Sequence, residues 1–225
     1  MPLTPAHPAV VLPLQRLGLP LSALVIGAVA PDAPVYLPVG VSYRTTHSGG
    51  GLAVDVVIGL ALLWLWFALL RDAVVDLTRS LRNRAPAQAR LDRRAWLLAP
   101  LAVAVGAGTH VLWDSATHDW GFVVHEVAPL REEYGPFTVY SWLQIVSTVV
   151  GSIVVTAYCV HRLRSAPVAP RPPAVDRPGL WLVPVPLTAL VVGIVVQDLW
   201  AAVGAALLTL LAVAIGWRVV RHQHS

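Results

Sequence analysis

GLAVDVVIGLALLWLWFALL, residues 51–70, carries a single charge, Asp55, in a run otherwise built of small, aliphatic and aromatic residues. Such a run has the length a helix needs to cross roughly 30 Å of hydrocarbon at about 1.5 Å per residue. Ala95–Trp113, Thr138–Val160, Leu180–Gln197 and Leu199–Trp217 have the same character and are bounded by charged or proline-rich segments. The whole chain agrees with them. Of its 225 residues 56% are hydrophobic and only 12% charged, at a mean hydropathy of +0.68, which is too apolar for a soluble domain of this size. A transmembrane barrel would instead show short segments of alternating polarity. The expected fold is therefore all-α, a polytopic membrane helical bundle of five transmembrane helices.

Ahead of these runs, Ala9–Leu17 and Pro20–Ala30 are each too short to cross alone, and Gly18-Leu19-Pro20 breaks them apart. Two half-helices forming a re-entrant hairpin are expected, with a single kinked span as the competing arrangement. Ala28-Val29-Ala30 resembles a signal-peptidase site, but cleavage is not expected. Met1–Pro8 holds no positive charge, Gln15, Arg16, Gly18 and Pro20 interrupt the apolar stretch, and Pro31 directly follows the cut.

The formal charge is +4 and the pI near 9.8, yet nucleic acid is not the expected partner, because the basic residues sit between apolar runs. All sixteen are Arg, a compositional bias of the kind a GC-rich genome produces. Arg71, Arg79, Arg82, Arg84, Arg90, Arg93 and Arg94 crowd one loop; Arg162, Arg164, Arg171 and Arg177 lie in the next but one, and Arg218 and Arg221 in the tail. These segments, the C-terminus included, should be cytoplasmic. Pro31–Gly50 and Asp114–Phe137 hold only Arg44 and Arg131 and should face outward. The loop Ser165–Gly179 is rich in Pro and Ala. Three parts are expected: a metal-site membrane domain over 1–160, a cytoplasmic linker over 161–179, and a transmembrane hairpin with a basic tail over 180–225. Cys159 is the sole cysteine, so no intramolecular disulfide can form.

The chemistry is concentrated in a few polar residues. Asp32 follows Pro31 at the outer end of an apolar segment, and His47 lies in the polar loop Ser42–Ser48. His110 and Asp114 are four residues apart, which sets both on one helix face with Cβ atoms about 6 Å apart. One further helical turn would add His118 to that stripe. By the topology above Asp32, His47, His110, Asp114, His118 and His125 share one membrane face. Ionisable groups at a span are costly and raise the expectation of function. A mixed imidazole and carboxylate set suits zinc, manganese or iron. With an open position such a site lowers the pKa of a bound water toward neutrality and serves hydrolysis. A structural His–Asp network that locks helices together is the competing account. Asp55, about one turn inside its span, fits a partner that orients a histidine or a carboxyl reaching for the interface.

The ordered motifs Thr4-Pro5-Ala6-His7, Leu21–Gly27 leading to Ala30-Pro31-Asp32, Thr46-His47-Ser48, Thr109-His110, Trp113-Asp114 and Thr117-His118 resemble the bacterial domain-of-unknown-function 4184 family over Met1 to about Val160. The same order is similar to membrane-bound metal-dependent hydrolases and, more distantly, to zinc-dependent phospholipase C. What the resemblance implies is a divalent metal, zinc first, held by His7, Asp32, His47, His110 and Asp114, with His118 as a further ligand or catalytic proton carrier. It implies hydrolysis of a phosphoester or lipid at the extracytoplasmic face of a bacterial inner membrane. Two departures leave a multinuclear site without support: Tyr43-Arg44-Thr45 lacks the extra histidine and glycine that the hydrolases carry there, and no downstream His and Glu pair is evident. Arg44 and Arg131 are the outward arginines available to an anionic head group. A transporter or ion-handling protein is the second expectation, and a non-catalytic membrane scaffold the third.

Overall fold

The computed structural model describes residues 4–223. Among these, five helices are long and apolar enough to cross a membrane, and the all-α bundle expected from the sequence is the fold. The principal helices are α1 (Leu21–Gly27), α2 (Leu52–Leu77), α3 (Arg93–Thr117), α4 (Val139–Ser165), α5 (Pro184–Val196) and α6 (Leu199–Gln223). One small antiparallel ribbon precedes α4, with β1 (Glu133–Tyr134) paired to β2 (Phe137–Thr138). α2 continues past the expected Leu70 through a π-helical turn at Trp66–Leu70. Charge ends the apolar run without ending the helix, because Arg71 pairs with Asp72 at 2.8 Å and Arg90 reaches the other Asp72 oxygen at 2.9 Å.

Contacts divide the chain into two compact units. The first holds Met1–Pro34, Val39–Leu63 and Leu91–Cys159. Its N-terminal segment leads in through short turns at Thr4–Ala6, Pro8–Val11 and Leu12–Leu17. It reverses at Gly18, whose φ of 77° is a left-handed conformation that suits a residue without Cβ. α1 and a short turn at Ala30–Asp32 lead back. The two ends meet: the Thr4 hydroxyl donates to Asp32 Oδ2 at 2.5 Å. The segment is thus a hairpin, and a single kinked span is ruled out.

α1 rests on α3 through two glycines. A Cβ on Gly27 would collide with the backbone of Val103, and one on Gly106 with the backbone of Leu24 and Ala28. The helices touch backbone to backbone, as small residues permit in apolar surroundings where hydrophobicity does not hold helices together. Ala23, Leu24, Ala102, Val103 and Ala107 are fully buried around this seam.

The second unit holds Val35–Pro38, Trp64–Arg90 and Val160–Ser225. α5 and α6 form a helical hairpin turned at Gln197, with Asp198 Oδ1 accepting from the Trp200 amide at 2.7 Å to cap α6. Its core gathers Ala73, Leu77, Val175, Ala214 and Trp217. Trp217 is buried, and its indole N–H donates to Asp76 at 2.9 Å. The proline-rich segment after α4 is held by the Arg171 guanidinium, which donates to the Arg82 carbonyl at 2.6 and 2.9 Å.

Gly106→Leu is expected to cost about 3 kcal/mol or to prevent folding, since the added atoms meet rigid backbone. Gly108→Ala, whose Cβ meets nothing within 4 Å, should stay within about 0.5 kcal/mol. Unfolding of the two variants beside the unsubstituted protein in one detergent checks this. Equal stability of the two would refute the glycine seam.

Candidate metal centre

The seam between α1 and α3 places the first functional atoms. Ala28, just past the end of α1, has a carbonyl turned toward α3, and His110 Nδ1 donates to it at 2.7 Å. One turn along α3 stands Asp114, as its spacing from His110 required. The turn Ala30–Asp32 carries Asp32 to the same place. His47 arrives at the end of the short helix Tyr43–Thr46, where its Nδ1 donates to the Tyr43 carbonyl at 3.1 Å. The Thr46 hydroxyl ties this loop to Pro31 by donating to its carbonyl at 2.7 Å.

A carbonyl oxygen only accepts, so Nδ1 carries the proton in both His47 and His110, and Nε2 of each neutral ring presents a lone pair. Those two Nε2 atoms face each other at 3.2 Å. His47 Nε2 lies 3.5 Å from Asp32 Oδ1 and 3.4 Å from Asp114 Oδ2, and His110 Nε2 lies 3.5 Å from each. All four donor atoms fall within 4.8 Å of one another, and all four residues are buried. Among the described residues, Asp32 Oδ1 and both Asp114 carboxylate oxygens have no hydrogen-bond donor. With both rings neutral, acceptors converge here, an arrangement that costs several kcal/mol unless positive charge is supplied.

The spacing fits an ion. Tetrahedral zinc bonds of about 2.05 Å put neighbouring ligands about 3.3 Å apart, and five of the six separations are 3.2–3.5 Å. The field of the pocket agrees with the geometry. Burial disfavours a charged His47 ring, but Asp114 and Asp32 outweigh it and raise the pKa above the ordinary histidine value.

His7, the fifth expected ligand, is buried beside this set and not at its centre. Its ring stacks on His110 with centroids 3.7 Å apart, and its Nε2 lies 3.4 Å from Asp114 Oδ1 without a hydrogen-bond partner. Burial and the neighbouring His110 lower its pKa to about 4, so it is neutral near pH 7. His118, just past the end of α3 at Thr117, is buried too, and its Nδ1 comes within 3.8 Å of Asp114 Oδ1 without bonding to it. Its Nδ1 instead donates to the Asp114 carbonyl at 3.0 Å, and Gln144 of α4 lies 3.3 Å from its Nε2.

His125 is exposed and outside the cluster. Arg131 spends its guanidinium on the carbonyls of Val124 and His125, whereas Arg44 is exposed. Asp55 is fully buried with both oxygens unpartnered, outside the set of four. Three supporting residues escaped the sequence reading. Thr4 orients Asp32, Tyr43 stacks on His47 with centroids 3.8 Å apart, and Gln144 faces His118. Thr4 and Tyr43 sat inside motifs singled out for their histidines, and Gln144 is a polar residue inside an apolar run.

The family model described as Domain of unknown function (DUF4184) matches residues 1–222, so the likeness extends through α5 and α6 beyond the motif-bearing first 160 residues. The chain belongs to that family. Comparison with curated proteins and with solved structures finds no match.

Proposed function

We propose, for this member of the DUF4184 family, a membrane-bound metal-dependent hydrolase in which Asp32, His47, His110 and Asp114 hold one divalent cation, zinc first, and act on a phosphoester or lipid. One observation carries the proposal: two imidazole Nε2 atoms and two carboxylate oxygens converge with tetrahedral spacing, and among the described residues those carboxylate oxygens have no hydrogen-bond donor. A cation held there would supply a Lewis acid, and with a fifth position open to water beside the four side chains it would bring the pKa of that water toward neutrality. The chain's own residues do the rest. The Ala28 and Tyr43 carbonyls fix the ring orientations of His110 and His47, and Thr4 holds Asp32 so that Oδ1 faces inward. His7, neutral and buried beside Asp114, stands where it can exchange a proton with a water or hydrogen-bond a substrate. His118, fixed by the Asp114 carbonyl, is the second proton carrier. In the hydrolysis a water oxygen bonds to phosphorus, the ester P–O bond breaks, and the leaving oxygen takes a proton.

The arginine distribution supports an outward-facing site and a cytoplasmic C-terminus in a bacterial inner membrane. The ion-handling reading draws on Asp55. A conduction path needs further polar stations below it, and the other buried residues of α2 up to Leu65 are Gly59 and Leu63. Hydrolysis at one face therefore ranks first.

Elemental analysis of detergent-purified protein should find close to one equivalent of zinc or another divalent metal, lost from a folded His110→Ala, Asp114→Ala double variant. No metal in the unsubstituted protein after attempted reloading would sink the proposal in favour of a structural network. Thr4→Val removes the hydrogen bond that aims Asp32, and metal affinity by chelator competition should fall about 10–100-fold while the fold persists. For sidedness, a cysteine placed at Ser48 in a Cys159→Ser background should react with a membrane-impermeant maleimide on intact cells, and one at Arg79 only after lysis. The reverse pattern would invert the topology.

A further inference from the structure

A groove of about 400 Å³ runs between the N-terminal hairpin and α4 in the first unit. Val146, Val150 and Val154, four residues apart, form one stripe of α4 along it, with Val10 and Trp113 opposite and His7 in its wall. The groove is almost wholly apolar and lies inside a span, where hydrocarbon, not water, is the surrounding medium. Val146 and Val150 remain about half exposed, at 53% and 52%, so the groove opens sideways through the outer surface of α4.

Its connection to the metal centre sets it apart from an ordinary lipid-facing surface. His7 belongs to both, since its ring stacks on His110 and its Nε2 approaches Asp114. Gly151 makes the junction possible. A Cβ there would come within 2.8 Å of the Ala6 carbonyl oxygen, so the hairpin lies directly on α4 beside His7. Deeper along α4 the Tyr158 hydroxyl donates to Gln15 at 3.2 Å and ties the hairpin to the helix again. From Leu143 to Val154 the groove follows about 16 Å of helix, a length suited to an extended hydrocarbon chain.

We propose that this groove holds one acyl chain of a membrane phospholipid whose phosphoester reaches the Asp32, His47, His110 and Asp114 centre past His7. For the fate of the phosphoester this rests on the hydrolase reading; for the chain it rests on the groove alone. Chains elsewhere in the bilayer are equally apolar, so selection comes from fit and from the tether to a head group held at the centre. The substrate class is then a long-chain lipid phosphoester drawn sideways from the membrane, and a soluble ester lacks half of its binding site.

The test uses the full chain in phosphatidylcholine nanodiscs containing a phosphatidylcholine with a diazirine near the end of one acyl chain. After irradiation, labelled residues are mapped by mass spectrometry. Labels should concentrate several-fold on Val10, Val146, Val150 and Val154 over Val149 and Ile153, which are as exposed or more so on the same helix. Val150→Trp, which fills the groove, should reduce labelling of the remaining groove residues about tenfold at unchanged thermal stability, while Val149→Trp leaves it intact. Should Val150→Trp not fold, the unsubstituted pattern still decides, because it compares groove and non-groove residues of the same helix. Labelling spread around α4 in proportion to exposure overturns the proposal. Selective labelling without phospholipid turnover keeps the acyl site and rejects the hydrolase reading. Turnover with even labelling does the opposite.

Discussion

The approach of α1 to α3 at Gly27 and Gly106 governs the first unit, because the polar centre is assembled from what those two helices carry just beyond the contact. With backbones touching, the Ala28 carbonyl comes within hydrogen-bonding distance of His110 Nδ1, and the chain leaving α1 reaches Asp32 in the few residues needed to set it opposite Asp114. A larger residue at either glycine would separate the backbones by the width of a side chain. The Ala28 carbonyl would then lose its donor, and Asp32 would leave the centre. Packing in this unit is thus the means by which imidazole tautomers and carboxylate positions are specified.

The second constraint is electrostatic. Two carboxylates and two imidazoles at near-zero exposure, with their protons committed to backbone carbonyls outside the cluster, form a concentration of lone pairs that a low-dielectric interior does not tolerate without compensation. Protonating the rings would supply positive charge, but both Nε2–H groups would then point at each other across 3.2 Å. A single cation at the centre would satisfy all four groups and leave each Nδ1 bond in place. The supporting bonds from Thr4, Ala28, Tyr43 and Thr46 are the kind that orient ligands around such an ion.

Helix number was legible in the sequence because hydrocarbon demands a long uncharged run for each crossing, and the five runs satisfy that demand without ambiguity. The boundaries were less so. α2 outlasts its apolar run because Arg71, Asp72 and Arg90 neutralise one another, a pairing between residues far enough apart that periodicity does not reveal it. At the site, the spacing of His110 and Asp114 fixed one helix face, and the four buried donors were all named from sequence. Whether His118 joins that stripe turned on where α3 stops, which nothing in Ser115-Ala116-Thr117 signals; the backbone turns extended at His118, whose ring then caps the helix beside Asp114. His125 was grouped by membrane face alone, and a shared face does not bring side chains within a few ångströms. Thr4 was invisible as a partner of Asp32 until the hairpin closed on itself.

The hairpin sets where the polar centre lies in the first unit. A segment that enters and returns brings His7 and Asp32 together from opposite ends of about 25 residues, at the level where α3 presents its last turn. A full crossing would have carried His7 to the other end of the bundle. Because the hairpin is too short to shield α4 along its whole length, it leaves the stripe of Val146, Val150 and Val154 open beside it. The same geometric compromise therefore completes the polar centre on one side of His7 and leaves an apolar channel on the other. An amphiphile with a polar ester at one end and hydrocarbon at the other matches both surfaces at once, whereas a small soluble ester would use only the first.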